Sequence, residues 1–153
     1  MRLVTNRKVP IDFFSKVWYN QTMKHNYHMH TLFKLASSIE KVAGARIASS
    51  LVLKNTILSF GFNQRKTHPF QAKYGKNNES IYLHAEVDAI KNALKCYSLE
   101  DLKNSVLYIC RSKTMNKSIV TGLAKPCEGC MRAIANFNIK RVVYSTDDGY
   151  TTL

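Results

Sequence analysis

Three side chains in this sequence have the identities and order that hold a zinc ion, and a fourth can move protons beside one. His84 is followed two residues later by Glu86, and Pro126 precedes Cys127-Glu128-Gly129-Cys130. Zinc takes nitrogen and sulfur ligands in a tetrahedron, and a catalytic site usually has three protein ligands and one position for water. His84, Cys127 and Cys130 make such a set. Glu86 is then free for acid–base work. A zinc ion held there brings the pKa of its water down towards neutrality. A zinc that only braces the fold usually has a fourth protein ligand, and it would leave Glu86 without a purpose.

Spacing limits where these residues can sit. Cys127 and Cys130 are three apart, so in the first turn of a helix both sulfurs lie on one side. Pro126 suits the start of that helix. Thiolate is the ligating form of cysteine, and the positive end of a helix favours it. His84 and Glu86 are two apart, roughly 200° around a helix. They converge only if the site lies off the N-terminus of the helix that follows. Both motifs are therefore expected at helix starts, with two helix ends facing one metal.

The elements that present these residues follow from periodicity. Leu32, Leu35, Ala36, Ile39 and Val42 form one stripe, which predicts a helix over residues 30–42 that Gly44 would end. Residues 45–53 and 56–62 read as a hairpin around Lys54-Asn55. A second helix is expected over residues 84–96, a third strand over 106–110, a helix over 126–136 and a strand over 140–145. Residues 111–125 read as an extended hairpin, and Asp147-Asp148-Gly149 as a turn. Alternating strands and helices imply an α/β sheet covered by helices, and the opening hairpin makes that sheet mixed. Residues 63–80 are polar and read as a long loop of the kind that often carries function. In the N-terminal stretch, residues 1–28, Pro10 could open an amphipathic helix bearing Ile11, Phe14, Val17 and Trp18. The run His25-Asn26-Tyr27-His28-Met29-His30 could suggest metal. No cysteine or carboxylate lies close by in sequence, and a polar linker explains it as well.

The 153 residues suit a single domain, 1–153, with 1–28 as an extension. No apolar run approaches the ~20 residues that span a membrane, and the start lacks the apolar stretch of a secretory signal. A soluble, cytoplasmic protein without a membrane partner is expected. Four cysteines are too few for a disulfide scaffold in a chain this size. Cys96 and Cys110, outside the motif, are expected as small buried core residues. The formal charge of +13 attracts anions. The basic residues are spread along the chain, so charge alone does not separate a nucleotide from a polymer.

At these residues the sequence resembles the cytidine deaminase superfamily, and most of all its deoxycytidylate and nucleic-acid deaminase branches. His-x-Glu followed by Pro-Cys-x-x-Cys is the recorded signature of zinc nucleobase deaminases. The similarity also takes in Gly61-Phe62-Asn63 and Ile139-Lys140-Arg141-Val142-Val143-Tyr144. It implies a three-layer cytidine-deaminase-like fold, a mixed central sheet with helices on both faces. It implies Zn2+ as cofactor, Glu86 as the catalytic proton carrier, and a homo-oligomer. By the same resemblance Asn63 would meet the sugar, and the backbone N–H of Ala85 the base carbonyl. In the 63–80 loop, His68 is a candidate for a phosphate or base contact. Lys66, with Arg65 and Lys73, is a candidate phosphate partner.

Three functions follow from these readings. The first is hydrolytic deamination of a free cytosine nucleotide, with dCMP giving dUMP and ammonia, and a phosphorylated nucleoside as the partner. The second is a deaminase of cytosine or adenine in RNA or single-stranded DNA. It rests on the charge, although no aromatic-rich basic segment of the base-stacking sort is present. The third is a non-enzymatic, zinc-stabilised nucleic-acid-binding module in which Glu86 has no chemical role.

Overall fold

The computed structural model describes residues 13–75 and 82–153, with side chains described from residue 21 onward. The expectations for Pro10, Ile11 and residues 76–80, and for the side chains of Phe14, Val17 and Trp18, lie outside the described residues.

A long helix, α1 (Phe13–Ser38), leads into the hairpin β1 (Arg46–Leu53) and β2 (Thr56–Phe62). Then come α2 (Pro69–Tyr74), α3 (Ala85–Ala93) and α4 (Leu99–Lys103). A second hairpin, β3 (Val106–Met115) and β4 (Ser118–Gly122), precedes α5 (Glu128–Asn136), β5 (Arg141–Thr146) and β6 (Gly149–Thr152). The main strand order is β2-β1-β3-β5-β6, with β4 also paired to β3. Among the described residues only β3 and β5 run parallel, so the sheet is mixed as expected. Among the described residues no helix is long and apolar enough to cross a membrane.

Alternation along the central strands builds two cores. Leu51, Leu107, Ile109 and Val142 pack with residues of α3, α4 and α5. Their sequence neighbours Val52, Tyr108, Cys110 and Val143 join Met29, Leu32 and Ala36 of α1 on the other face. A period of two sends successive side chains to opposite sides. The result is the three-layer arrangement that the resemblance implied.

The structure corrects the N-terminal third. One helix replaces the separate segments. It ends at Ser38, and Val42 instead forms an isolated bridge with Ala45. The turn between them puts Ala43 and Gly44 at positive φ, which glycine adopts without strain. His25 to His30 lie inside α1 and form no linker. His28 is buried against the Tyr108 ring, with centroids 4.8 Å apart, and His25 Nδ1 meets the Tyr108 hydroxyl at 2.8 Å. Burial pushes the Tyr108 phenol up to about 12, so it stays protonated in its hydrogen bond with His25. Among the described residues this cluster makes no metal group.

Burial, then Lys24, lowers the pKa of both His25 and His28 from 6.5. The unfolded chain therefore binds these protons first as pH falls, so the stability these sites contribute is complete above about pH 6.5 and is lost below it. The unfolding midpoint should drop between about pH 7 and about pH 5, and drop less in the His25→Gln/His28→Gln double variant. Parallel pH profiles would contradict this.

Cys96 is also corrected. Helix α3 stops at Ala93, and Cys96 is exposed in the turns that follow, whereas Cys110 is buried as expected. The helix over 126–136 and the strand over 140–145 are found within about two residues. Helices α2 and α4 and strand β6 were not expected. Ser98 and Asp101 cap α4 reciprocally.

Helix α3 lies close against the first hairpin, with Ala85 and Ala89 at the contact. Ser49 Oγ donates to Ala85 O at 2.6 Å, and Ser59 Oγ to Ala89 O at 2.7 Å. A Cβ on Gly61 would run into the backbone of Ala85 and Ala89. Backbone cannot swing aside as a side chain can, so Gly61→Ala should cost at least roughly 1–3 kcal/mol. An unchanged unfolding midpoint would show that α3 has room to retreat.

Candidate active site

Each motif sits at a helix start. His84 is the N-cap of α3, and Cys127 is the N-cap of α5, with φ and ψ in the extended region for both. Cys127 Sγ accepts from the Cys130 N–H at 3.5 Å. A cap is the position that leaves the following N–H groups pointing outward. The two helix ends therefore aim at one point, as the spacing predicted.

His84 Nδ1 stands 3.5 Å from Cys127 Sγ and 3.3 Å from Cys130 Sγ. All three ligand atoms lie within 4.8 Å of one another. Tetrahedral zinc, with its usual bond lengths, holds nitrogen and sulfur roughly 3.6 Å apart and two sulfurs roughly 3.8 Å apart. The three residues fit the ion. Hydrogen bonds from Cys130 and His84 bring the Cys127 thiol down to about 3. The hydrogen bond to Cys127, followed by burial, pushes Cys130 well above the usual thiol range. The hydrogen bond with Cys127 raises His84. Two adjacent thiolates repel, so the second proton leaves only when a cation sits between them.

Glu86 lies in the first turn of α3, 5% exposed. Burial raises its pKa, while its own backbone N–H and His84 oppose the rise. A carboxyl brought nearer neutrality can both take and return a proton.

These groups open onto a cavity of about 340 Å³, a size that suits a small ligand. Asn63 and Ala85 are in its wall, with Tyr82 and Lys125. The Asn63 carboxamide is occupied by backbone: it accepts from Ile47 N at 3.0 Å and donates to Ala45 O at 2.9 Å. It thereby holds the 42–45 turn that forms one side of the cavity. Lys66 lies outside this lining. It borders an adjoining groove with Arg65, and the two spaces share Val42 and Asn63. His68 lines neither; it caps α2, accepting from Phe70 N at 3.1 Å. Lys73 sits on α2 with its ammonium over the Tyr74 ring.

Several supporting residues carry no motif signal. The buried Gln71 accepts the His84 N–H at 3.0 Å, which fixes the backbone at that cap. Asp88 accepts from Phe62 N and Gln64 Nε2, tying the end of β2 to α3. Ser145 sits where β3 exchanges β5 for β4 as its neighbour. It accepts from Arg111 N and donates to Gly122 O, satisfying groups left over at the fork. The backbone of Ala124 then bonds to Ser145 O, which leads the chain into Lys125-Pro126-Cys127. The 111–125 segment is thus an extended hairpin, and it delivers the cysteines. The Asn116-Lys117 turn has positive φ at both positions, as a tight two-residue hairpin requires.

Residues 22–146 match the family described as the cytidine and deoxycytidylate deaminase zinc-binding region. Among solved structures, the apo dCMP deaminase of cyanophage S-TIM5 is 22% identical, with a TM-score of 0.56 over 81% of this chain and 83% of that one. RibD of Acinetobacter baumannii, form 2, is 15% identical, with a TM-score of 0.52 over 82% of this chain and 29% of that one. No curated protein sequence matches the chain.

Proposed function

The chain belongs to the cytidine and deoxycytidylate deaminase family and is a zinc-dependent deaminase, and from that premise we propose that it converts dCMP and water to dUMP and ammonia. The observation that carries the choice of a phosphorylated substrate is the charge around the cavity. Lys125 stands in its wall, and Arg65 and Lys66, with a single carboxylate, Glu40, border the groove that shares Val42 and Asn63 with it. Cations at the mouth of a low-dielectric cleft attract a phosphate monoester.

His84, Cys127 and Cys130 would hold the zinc ion, which when bound supplies an acidified water and a charge that stabilises the transition state. Glu86 takes a proton from the attacking water and delivers one to the ring nitrogen beside C4. The C4–N bond then breaks, and Glu86 passes the second water proton to the departing ammonia. One carboxylate serves both steps because each returns it to the state the next requires. The Ala85 N–H, in the first turn of α3 and without a partner among the described residues, would hold the base carbonyl. Asn63 keeps the wall on the sugar side in position. The exposed Met23 and Tyr27 on α1 and Met115 and Ile119 on the second hairpin are available for the homo-oligomer contact that the family resemblance implies.

The charge of +13 also favours a polymeric substrate. Ammonia release from dCMP, CMP, deoxycytidine, cytidine, single-stranded DNA and tRNA separates the two. Activity on dCMP with none on the polymers is expected. Activity confined to a polymer would overturn the nucleotide reading. Lys125→Ala should raise KM for dCMP by roughly tenfold and leave that for deoxycytidine unchanged, since only the former carries a phosphate. Equal changes for both substrates would remove Lys125 from phosphate selection.

A further inference from the structure

A second cavity, of about 470 Å³, lies on the α1 side of the sheet at the beginnings of β3 and β5. The metal-ligating group is on the other side, beyond the opposite strand ends, where Ala124 bonds to Ser145. We propose that this second cavity is a site for phosphate groups, separate from the deaminase centre.

Cations from two parts of the chain line it: the half-buried Lys24 of α1, and the consecutive, exposed Lys140 and Arg141 where β5 begins. No aspartate or glutamate lines the cavity; the last residue of the sequence, Leu153, does, held by its N–H on Val142 O at 2.9 Å. With 23 basic residues against 10 acidic ones, an unpaired lysine is ordinary in this chain, so lack of a partner alone decides nothing. Convergence does. Lys91, Lys113 and Arg132 each have a carboxylate partner, whereas none of Lys24, Lys140 and Arg141 has one among the described residues. Lys24 is also half-buried, and its ammonium is destabilised by burial and by Arg141, so the charges act on one another. Like charges held together repel, and an anion between them removes that repulsion. The wall supplies polar groups as well: Gln21, and the His25 ring bonded to the Tyr108 hydroxyl. The volume is in the range that takes a small ligand. A planar guanidinium next to two mobile ammonium groups suits phosphate oxygens.

The test uses the zinc-loaded full chain, with pyrophosphate and a single-stranded oligonucleotide as probes followed by calorimetry. Pyrophosphate should bind saturably, and K140Q/R141Q should weaken it at least roughly tenfold while deaminase activity stays at the wild-type level. K24Q should weaken it in the same direction. Lys125→Ala, in the other cavity, should leave this binding intact. So should K34Q/K95Q, which removes the same charge from exposed sites elsewhere. Equal affinity in K140Q/R141Q and the parent would overturn the site. So would an equal loss in K34Q/K95Q, or no saturable binding of either probe. If pyrophosphate fails and the oligonucleotide binds with the same K140Q/R141Q loss, the phosphates come from nucleic acid. If pyrophosphate binds, a free phosphorylated compound suffices.

Discussion

Glu86→Gln is expected to fold, to bind zinc as the parent does, and to lose about 10²- to 10⁴-fold or more in kcat. The amide has the size of the carboxyl and cannot take a proton. The loss should fall on kcat, with KM for dCMP little changed, because the interaction removed is made as protons move. Stability points the same way. Burial already disfavours the Glu86 carboxylate, so a neutral side chain there should leave the unfolding midpoint unchanged or higher. A Glu86→Gln protein that turned over at the parent rate would mean that the protons travel by another route. One that lost zinc would mean that Glu86 has a ligand role.

Cys130→Ala is expected to abolish both zinc binding and turnover, and to lower the unfolding midpoint. Cys130 is fully buried in the first turn of α5, with its sulfur 3.3 Å from His84 Nδ1. Removing it leaves two protein ligands, too few for a tight zinc site. Metal that binds only the folded chain contributes to its stability, so the variant should lose that contribution as well. Chelation of the parent should lower the midpoint in the same way, and added zinc should restore it. Full zinc occupancy in Cys130→Ala would remove this residue from the ligand set.

The metal group was legible because its chemistry is local. Ligand identity and spacing are properties of a few neighbouring residues, and the i, i+2 separation of His84 and Glu86 already required a helix start. The core strands were legible for a similar reason, since a period of two is written along each one. Helix α2 was not. Its six residues show no apolar stripe. They are helical because His68 caps them and because Tyr74 packs on α5, where a Cβ at Gly129 would meet Tyr74 O at 2.6 Å. His25 and His28 were misread because their partner, Tyr108, is on a strand some eighty residues away. Gln71, Asp88 and Ser145 position the site through bonds to distant backbone, and such bonds leave no trace in spacing. Cys96 was misplaced because an apolar pattern does not mark the residue at which a helix frays.

The most direct measurement is ammonia release from dCMP as zinc is titrated back into chelated protein, in the parent and in Glu86→Gln side by side. Activity in the parent should rise from background and level off at one equivalent of zinc per chain. The variant should take up the same zinc and stay near background throughout. Ammonia release that ignores zinc, or that rises equally in both proteins, would contradict a zinc-dependent deaminase worked by Glu86.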